Sequence, residues 1–365
     1  MKIGILTFHA SHNYGSMLQA YALLHVIMGM GHDCKIINLR TDVQKSLIQP
    51  EIRWSHPRTT LSHIIKHPLR TLTLSRKYSR FERFLCENLC CSHELHTHAE
   101  VGEYIRQSGI EAVVVGSDQI WNPACWDFDW SYLLDFDFSI RRIAYAPSMG
   151  HTPEMIAQSK QKRMATCWNR FDALSTREQR GSAFVTSLTG KPCATVLDPT
   201  LLLAANDYNR LSLSSSLPSE YIFYYTPREE PGTFLKAQEL ARQTGLKILV
   251  TQDSSEYTGT NVIRINDCGP REFINIIRGA SYCIGNSFHL LAFSLIFHRE
   301  FIMLSHQKDS RMLNILEPLG LQDRLVNTDA ELSVMNKIDY KKIDRKMTEM
   351  RKSSLKYLAN ALRFN

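Results

Sequence analysis

The chain opens on a short, largely apolar run at 3–8, followed by apolar positions at Met17, Leu18, Tyr21, Leu24 and Met28. The run has the length of a buried strand. The later positions have the three-to-four spacing of a helix that Gly29 and Gly31 close. A second strand at 35–39 completes a β-α-β unit, which predicts a parallel sheet with a right-handed crossover. Further strand-like runs lie at 111–115, 142–146, 173–176 and 195–197, with helical stretches at 79–89, 100–108 and 153–168. The polar, Ser- and Pro-containing stretch 204–219 interrupts the alternation and reads as a linker. Strands are then expected at 221–225, 247–251, 261–265, 282–285 and 301–304. Helices are expected at 232–244, 270–278, 288–297 and 311–319, with an amphipathic helix over 340–362. The pattern predicts an α/β protein of two Rossmann-like domains facing a cleft, over 1–203 and 220–335, followed by a C-terminal helix within 336–365.

A length of 365 residues agrees with two domains, since single cores stop growing near 250–300 residues. No apolar run approaches the ~18 residues of a membrane span, and the N-terminus reads as a strand, not a signal peptide. The expectation is a cytoplasmic protein. The nine cysteines contain no Cys-x-x-Cys pair, so scattered reduced thiols are expected. Cys90 and Cys91 with His93, His96 and His98 are read either as metal ligands or as a solvated loop, and the scheme below needs no metal.

Charge changes the picture more. The formal balance is +7, yet the segment 53–83 holds Arg53, Arg58, Lys66, Arg70, Arg76, Lys77, Arg80 and Arg83 against Glu82 alone. The rest of the chain is therefore balanced, and a nucleic-acid binder that neutralises phosphates over its whole surface is excluded. The segment is placed as an insertion in the N-terminal domain. It is read either as a solvated helical face or as a dock for an anionic membrane surface or a lipid-linked diphosphate.

In open parallel sheets ligands sit outside the carboxyl ends of strands, so chemistry is sought in the loops there. Asn13, Tyr14, Gly15 and Ser16 open the first helix, where free N–H groups favour an anion and Asn13 or Ser16 can equally serve as a cap. Asp118, after a run of valines, suits a sugar hydroxyl or a general base, or closes an Asx-turn. Arg177 suits a carboxylate or phosphate, with Glu178 beside it, or forms a plain ion pair. Asp198 before Pro199 reads as a turn stabiliser. His289, in the first turn after Asn286 and Ser287, projects toward ligand or is a satisfied core residue. Arg271 at another helix entrance can hold an anion.

In order and spacing these loops resemble the polysaccharide pyruvyl transferase family over residues 2–328. The resemblance rests on Asn13-Tyr14-Gly15, Leu18-Gln19-Ala20-Tyr21-Ala22-Leu23 and Gly116-Ser117-Asp118-Gln119-Ile120-Trp121-Asn122-Pro123. It continues through Ala144-Tyr145-Ala146-Pro147-Ser148, Ser175-x-Arg177-Glu178, Leu197-Asp198-Pro199-Thr200, Asn286-Ser287-Phe288-His289 and Ser310-Arg311. Two positions depart: Ser287 stands where relatives carry Arg, and Leu290 where Gly commonly follows the His.

The resemblance implies a GT-B-type fold and transfer of pyruvate from phosphoenolpyruvate onto two sugar hydroxyls, giving a cyclic ketal and phosphate. It implies a place in capsule, exopolysaccharide or cell-wall assembly. Phosphoenolpyruvate is then a co-substrate and no cofactor is needed; the acceptor is a sugar or lipid-linked oligosaccharide. Peripheral contact with the inner membrane face is allowed, and nothing fixes an oligomeric state. The expected catalytic residues are His289, Asp118 and Arg177. The donor side is expected to use Asn13, Gly15, Ser16, Arg177, Arg271, Asn286, Ser287 and His289. The acceptor side is expected to use Tyr14, Ser117, Asp118, Gln119, Trp121, Tyr145, Ser148 and Glu178, with no metal site. The alternatives are a GT-B glycosyltransferase using a nucleotide sugar and a non-catalytic glycan-binding protein.

Overall fold

A computed structural model describes residues 1–48, 66–150, 152–214, 217–227, 230–306, 309–332 and 335–363. The chain divides into two units, Met1–Ile48 with Leu85–Leu203 and Arg345–Asn365, and Gln49–Phe84 with Ala204–Asp344.

In the first unit β1 (Lys2–Leu6), β2 (Asp33–Ile36), β3 (Ala112–Val115) and β4 (Arg141–Ala144) form a wholly parallel sheet in the order β2-β1-β3-β4. The order reverses between β1 and β3. The loops after those two strands are thus where a doubly wound sheet opens its ligand crevice. β3 is Ala-Val-Val-Val with every residue buried, as a strand covered on both faces requires. Helix α1 (Tyr14–Gly29) is buried on nearly all sides, which is why most of its residues are apolar or small; the buried Gln19 is hydrogen-bonded to Thr7 and to the Ser117 N–H. Asn13 caps it by accepting from the Gly15 and Ser16 N–H groups. The short helix α2 (Asp42–Leu47) starts at a Thr41–Gln44 capping box. The core packs Trp121, Trp168 and Phe171 together, beneath β3 and β4.

Gly116 follows β3 at φ +127°, and its peptide bond to Ser117 is cis. A Cβ there would lie 1.9 Å from the Tyr145 carbonyl oxygen, so only glycine lets the two backbones approach. Gly116→Ala is expected to cost on the order of 3–5 kcal/mol, the range of severe steric substitutions, read as a lowered midpoint in denaturant unfolding. An unchanged midpoint would contradict this close packing.

In the second unit β7 (Ile222–Tyr225), β8 (Ile248–Val250), β9 (Val262–Arg264), β10 (Tyr282–Gly285), β11 (Glu300–Ser305) and β12 (Leu325–Asn327) pair in parallel, in the order β12-β11-β10-β7-β8-β9. The short β5 (Ser175–Thr176) and β6 (Ala194–Thr195) belong to the first unit. The six-stranded order is that of the dinucleotide-binding fold, with its switch point between β7 and β10. Gly285 at the end of β10 repeats the first unit's device: a Cβ there would lie 1.9 Å from the Tyr225 carbonyl oxygen.

Two expectations about domain organisation change. The described part of the basic segment does not belong to the N-terminal domain: residues 66–84 cluster with the second unit. The reason is visible on α3 (Pro68–Asn88), where Arg80 bonds Asp267 at 3.1 Å and Glu272 at 3.3 Å. Residues 53–65 of the segment lie outside the described residues. The polar stretch after 203 is not a free linker either. Ala205–Leu211 forms a 3-10 helix whose Tyr208 ring packs edge-on against Phe293 and Phe297. Ser215 and Ser216 lie outside the described residues. The C-terminal helix, Tyr340–Leu362, is divided between the two units at Asp344.

Candidate active site

The first unit's switch point holds a cavity of about 230 Å³ lined by Ser11, Asn13, Ser16, Asp118, Gln119 and Asp127, with Phe8 and Leu47 as apolar wall. This is below the roughly 300–1,000 Å³ of pockets for larger ligands, and suits a single sugar ring. Asp118 sits at φ +65°, a left-handed conformation that Asp tolerates, which turns its carboxylate back toward α1. One oxygen accepts from the Gln119 N–H at 2.8 Å, closing a local turn; the other accepts from the Ser16 hydroxyl. The Ser148 N–H holds the Asp118 carbonyl at 2.7 Å. The turn-forming and ligand-facing readings of Asp118 are therefore two oxygens of one carboxylate.

Asp127 was not singled out from the sequence. It lies in the loop Cys125-Trp126-Asp127-Phe128-Asp129-Trp130, where acids alternate with aromatics and nothing local sets Asp127 apart from Asp129. Burial pushes its carboxyl up to about 6, with the nearby Asp118 charge adding a smaller push in the same direction. Two carboxyl groups share one small cavity, and burial lets one of them, Asp127, keep its proton up to about pH 6.

Behind this cavity lies a buried polar network. Arg177 is 2% exposed and bonds Glu178 at 3.0 Å and Asp198 at 3.1 Å. These two carboxylates hold its guanidinium above its ordinary value even though burial alone would lower it. Asp198 also accepts from the Ser117 hydroxyl at 3.0 Å and from the Thr200 N–H and hydroxyl at 3.0 and 2.7 Å. Arg177 and Glu178, expected at donor and acceptor, are thus paired inside the fold, because a buried charge is stable only when compensated. Ser117 serves the same network and also donates to the Ala146 carbonyl.

Other expected acceptor residues are also structural. Trp121 is fully buried with its indole N–H on the Tyr132 carbonyl. Tyr145 is fully buried and donates to the Leu197 carbonyl. Ser148 is buried and fixes the Asp118 loop, and Tyr14 is buried at the start of α1. Gln119 lines the cavity and accepts from Asn122 at 3.0 Å. Gly15 contributes its N–H to the Asn13 cap at 2.9 Å.

At the second unit's switch point Ser287 caps the helix Phe288–Ile296 by accepting from Leu290, and His289 sits in its first turn, 8% exposed, edge-on to Phe288. Asn286 directly precedes that cap. Arg271, expected to bind donor, instead donates to the carbonyls of Leu211 and Ser212, each at 3.3 Å. Among the described residues no group of three or more His, Cys, Asp and Glu side chains is arranged to hold a metal. His98 is engaged with Ser131 and the Asp135 carbonyl and stacks on Phe136. No described helix is long and apolar enough to cross a membrane.

Two doubly wound parallel sheets, each with polar loops at its switch point, define a protein of the GT-B class. Solved structures bear this out at the level of fold. One is the UDP-GlcNAc 2-epimerase of Methanocaldococcus jannaschii in complex with UDP-GlcNAc and UDP (10% identity, 96% of this chain and 93% of that chain, TM-score 0.53). Another is the UDP-GlcNAc 2-epimerase of Neisseria meningitidis bound to UDP-GlcNAc (10% identity, 98% and 94%, TM-score 0.52). The family model for polysaccharide pyruvyl transferase matches residues 13–308, and the chain belongs to that family. No curated protein matches it in sequence.

Proposed function

We propose that the protein transfers pyruvate from phosphoenolpyruvate to two hydroxyls of a sugar, free or lipid-linked, in a capsular, exopolysaccharide or cell-wall glycan precursor. The observation that supports this reading best is the pair Asp118 and Asp127 in one sugar-sized cavity of a chain of this family. The reaction adds one sugar oxygen to the central carbon of the enol while its methylene gains a proton. Phosphate leaves, and the second hydroxyl closes the ketal. Of the two hydroxyl protons, one ends on the new methyl group and one on phosphate.

Such a sequence needs a base for the attacking hydroxyl, an acid for the methylene and stabilisation of the departing phosphate. Asp118 is the base. Asp127, whose proton affinity burial raises, is the acid. His289, with the N–H groups at the start of its helix, takes the phosphate. Arg177 acts through Asp198 and Ser117 to position the Asp118 loop.

Thermal-shift titration discriminates the main alternative, a nucleotide-sugar glycosyltransferase of the same fold. Phosphoenolpyruvate is expected to raise the melting temperature in proportion to RT ln(1 + [L]/Kd). Stabilisation by UDP- or GDP-sugars without any by phosphoenolpyruvate would favour the glycosyltransferase.

A further inference from the structure

The second unit contains a larger cavity, of about 560 Å³, that the reaction above does not use. Its floor is the carboxyl ends of three adjacent parallel strands, with Thr226 after β7, Gln252 and Asp253 after β8, and Asn266 after β9. Its wall is the first half of α3, which contributes Arg70 and Lys77. The volume lies within the roughly 300–1,000 Å³ of small-molecule sites.

The distribution of polar groups describes a ligand. Lys77 and Arg70 are seven residues apart, two helical turns, and so share one face of α3. Lys77 reaches over the strand end to donate to the Thr251 carbonyl at 3.3 Å, which fixes its ammonium at the cavity. The next cation of the helix, Arg80, is neutralised by Asp267 and Glu272 and holds α3 in place. The structural task and the cavity-facing charges thus fall on different residues. The strand side presents acceptors. Asp253 lines the cavity, and the Asn266 side-chain oxygen is buried without a hydrogen-bond partner among the described residues. So is the hydroxyl of Thr251, next in the chain to Gln252. A buried acceptor left unpaired is costly, and a ligand hydroxyl would relieve that cost. Leu69 and Leu74 add apolar wall.

We infer that this cavity binds a glycosyl phosphate, its phosphate on Lys77 and Arg70 and its sugar hydroxyls on Asp253 and Asn266. A bare phosphate leaves the acceptors unused, and a neutral sugar leaves the cations unused. The inference concerns a ligand other than phosphoenolpyruvate and stands whether or not pyruvyl transfer is the reaction.

Isothermal titration of the full chain tests it with glucose 1-phosphate, inorganic phosphate, phosphoenolpyruvate, and vesicles carrying a polyprenyl-diphosphate-linked glucose. At least one glycosyl probe is expected to bind more than 10-fold tighter than inorganic phosphate; the tighter of the two tells whether the sugar arrives free or on a lipid. Lys77→Met and the surface variant Arg70→Glu should each weaken that binding at least 10-fold, with unchanged circular dichroism. Asp253→Asn should weaken the glycosyl probe and leave inorganic phosphate unaffected. Absence of glycosyl-phosphate binding, affinity no better than inorganic phosphate, or binding indifferent to all three substitutions would overturn the inference. So would phosphoenolpyruvate binding here in place of the glycosyl probes.

Discussion

Asp127→Asn is expected to lower ketal formation by roughly 10²–10⁴-fold, the usual contribution of a positioned general acid, while making the protein more stable at neutral pH. Both effects follow from one cause. The cavity raises this carboxyl from its ordinary 3.8 to about 6, chiefly by burial. The folded state therefore binds the proton more tightly than the unfolded chain does. The stability that this provides is fully present below about pH 4 and is lost as pH rises through about 6. Asn is isosteric, carries no charge to bury and cannot donate an acidic proton. Its melting temperature should match wild type near pH 4 and exceed it above pH 6, and the wild-type rate should fall as pH rises through about 6. Full activity in the Asn variant, or a wild-type rate that is flat between pH 5 and 7, would remove Asp127 from the mechanism.

Arg177→Met should destabilise the first unit by about 3–5 kcal/mol, the cost of breaking a buried ion pair from one side. The substitution leaves Glu178 and Asp198, both nearly inaccessible, without their cation. Asp198 would still accept from Ser117 and Thr200, so part of the network survives. Denaturant unfolding reads the loss directly. A variant of wild-type stability whose only defect is a raised KM for phosphoenolpyruvate would instead return Arg177 to the donor, where the sequence had placed it.

The secondary structure was legible because both units alternate between periods of two kinds. Buried parallel strands such as Ala112–Val115 are continuous apolar runs, and α1 is bounded by an Asn cap and a closing glycine pair. The site was legible only in part. Asp118 could be found as a cavity-lining residue because it lies just after a strand, where a doubly wound sheet offers its polar loops. Asp127 could not, since its proton affinity comes from burial in a cavity that residues far away in sequence complete. The same physics misled the reading of Arg177. A guanidinium at a strand end looks available until Asp198, twenty-one residues on, is seen to take it. Charge density alone also misplaced the basic segment, because the partners of Arg80 lie at Asp267 and Glu272.

The central claim is pyruvyl transfer. The purified chain, incubated with phosphoenolpyruvate and a panel of free and lipid-linked galactosides, glucosides and mannosides, should yield an acceptor heavier by pyruvate less water, with one phosphate released per ketal by mass spectrometry. An acceptor that gains a sugar from a nucleotide sugar, with no ketal formed on any member of the panel, would contradict it.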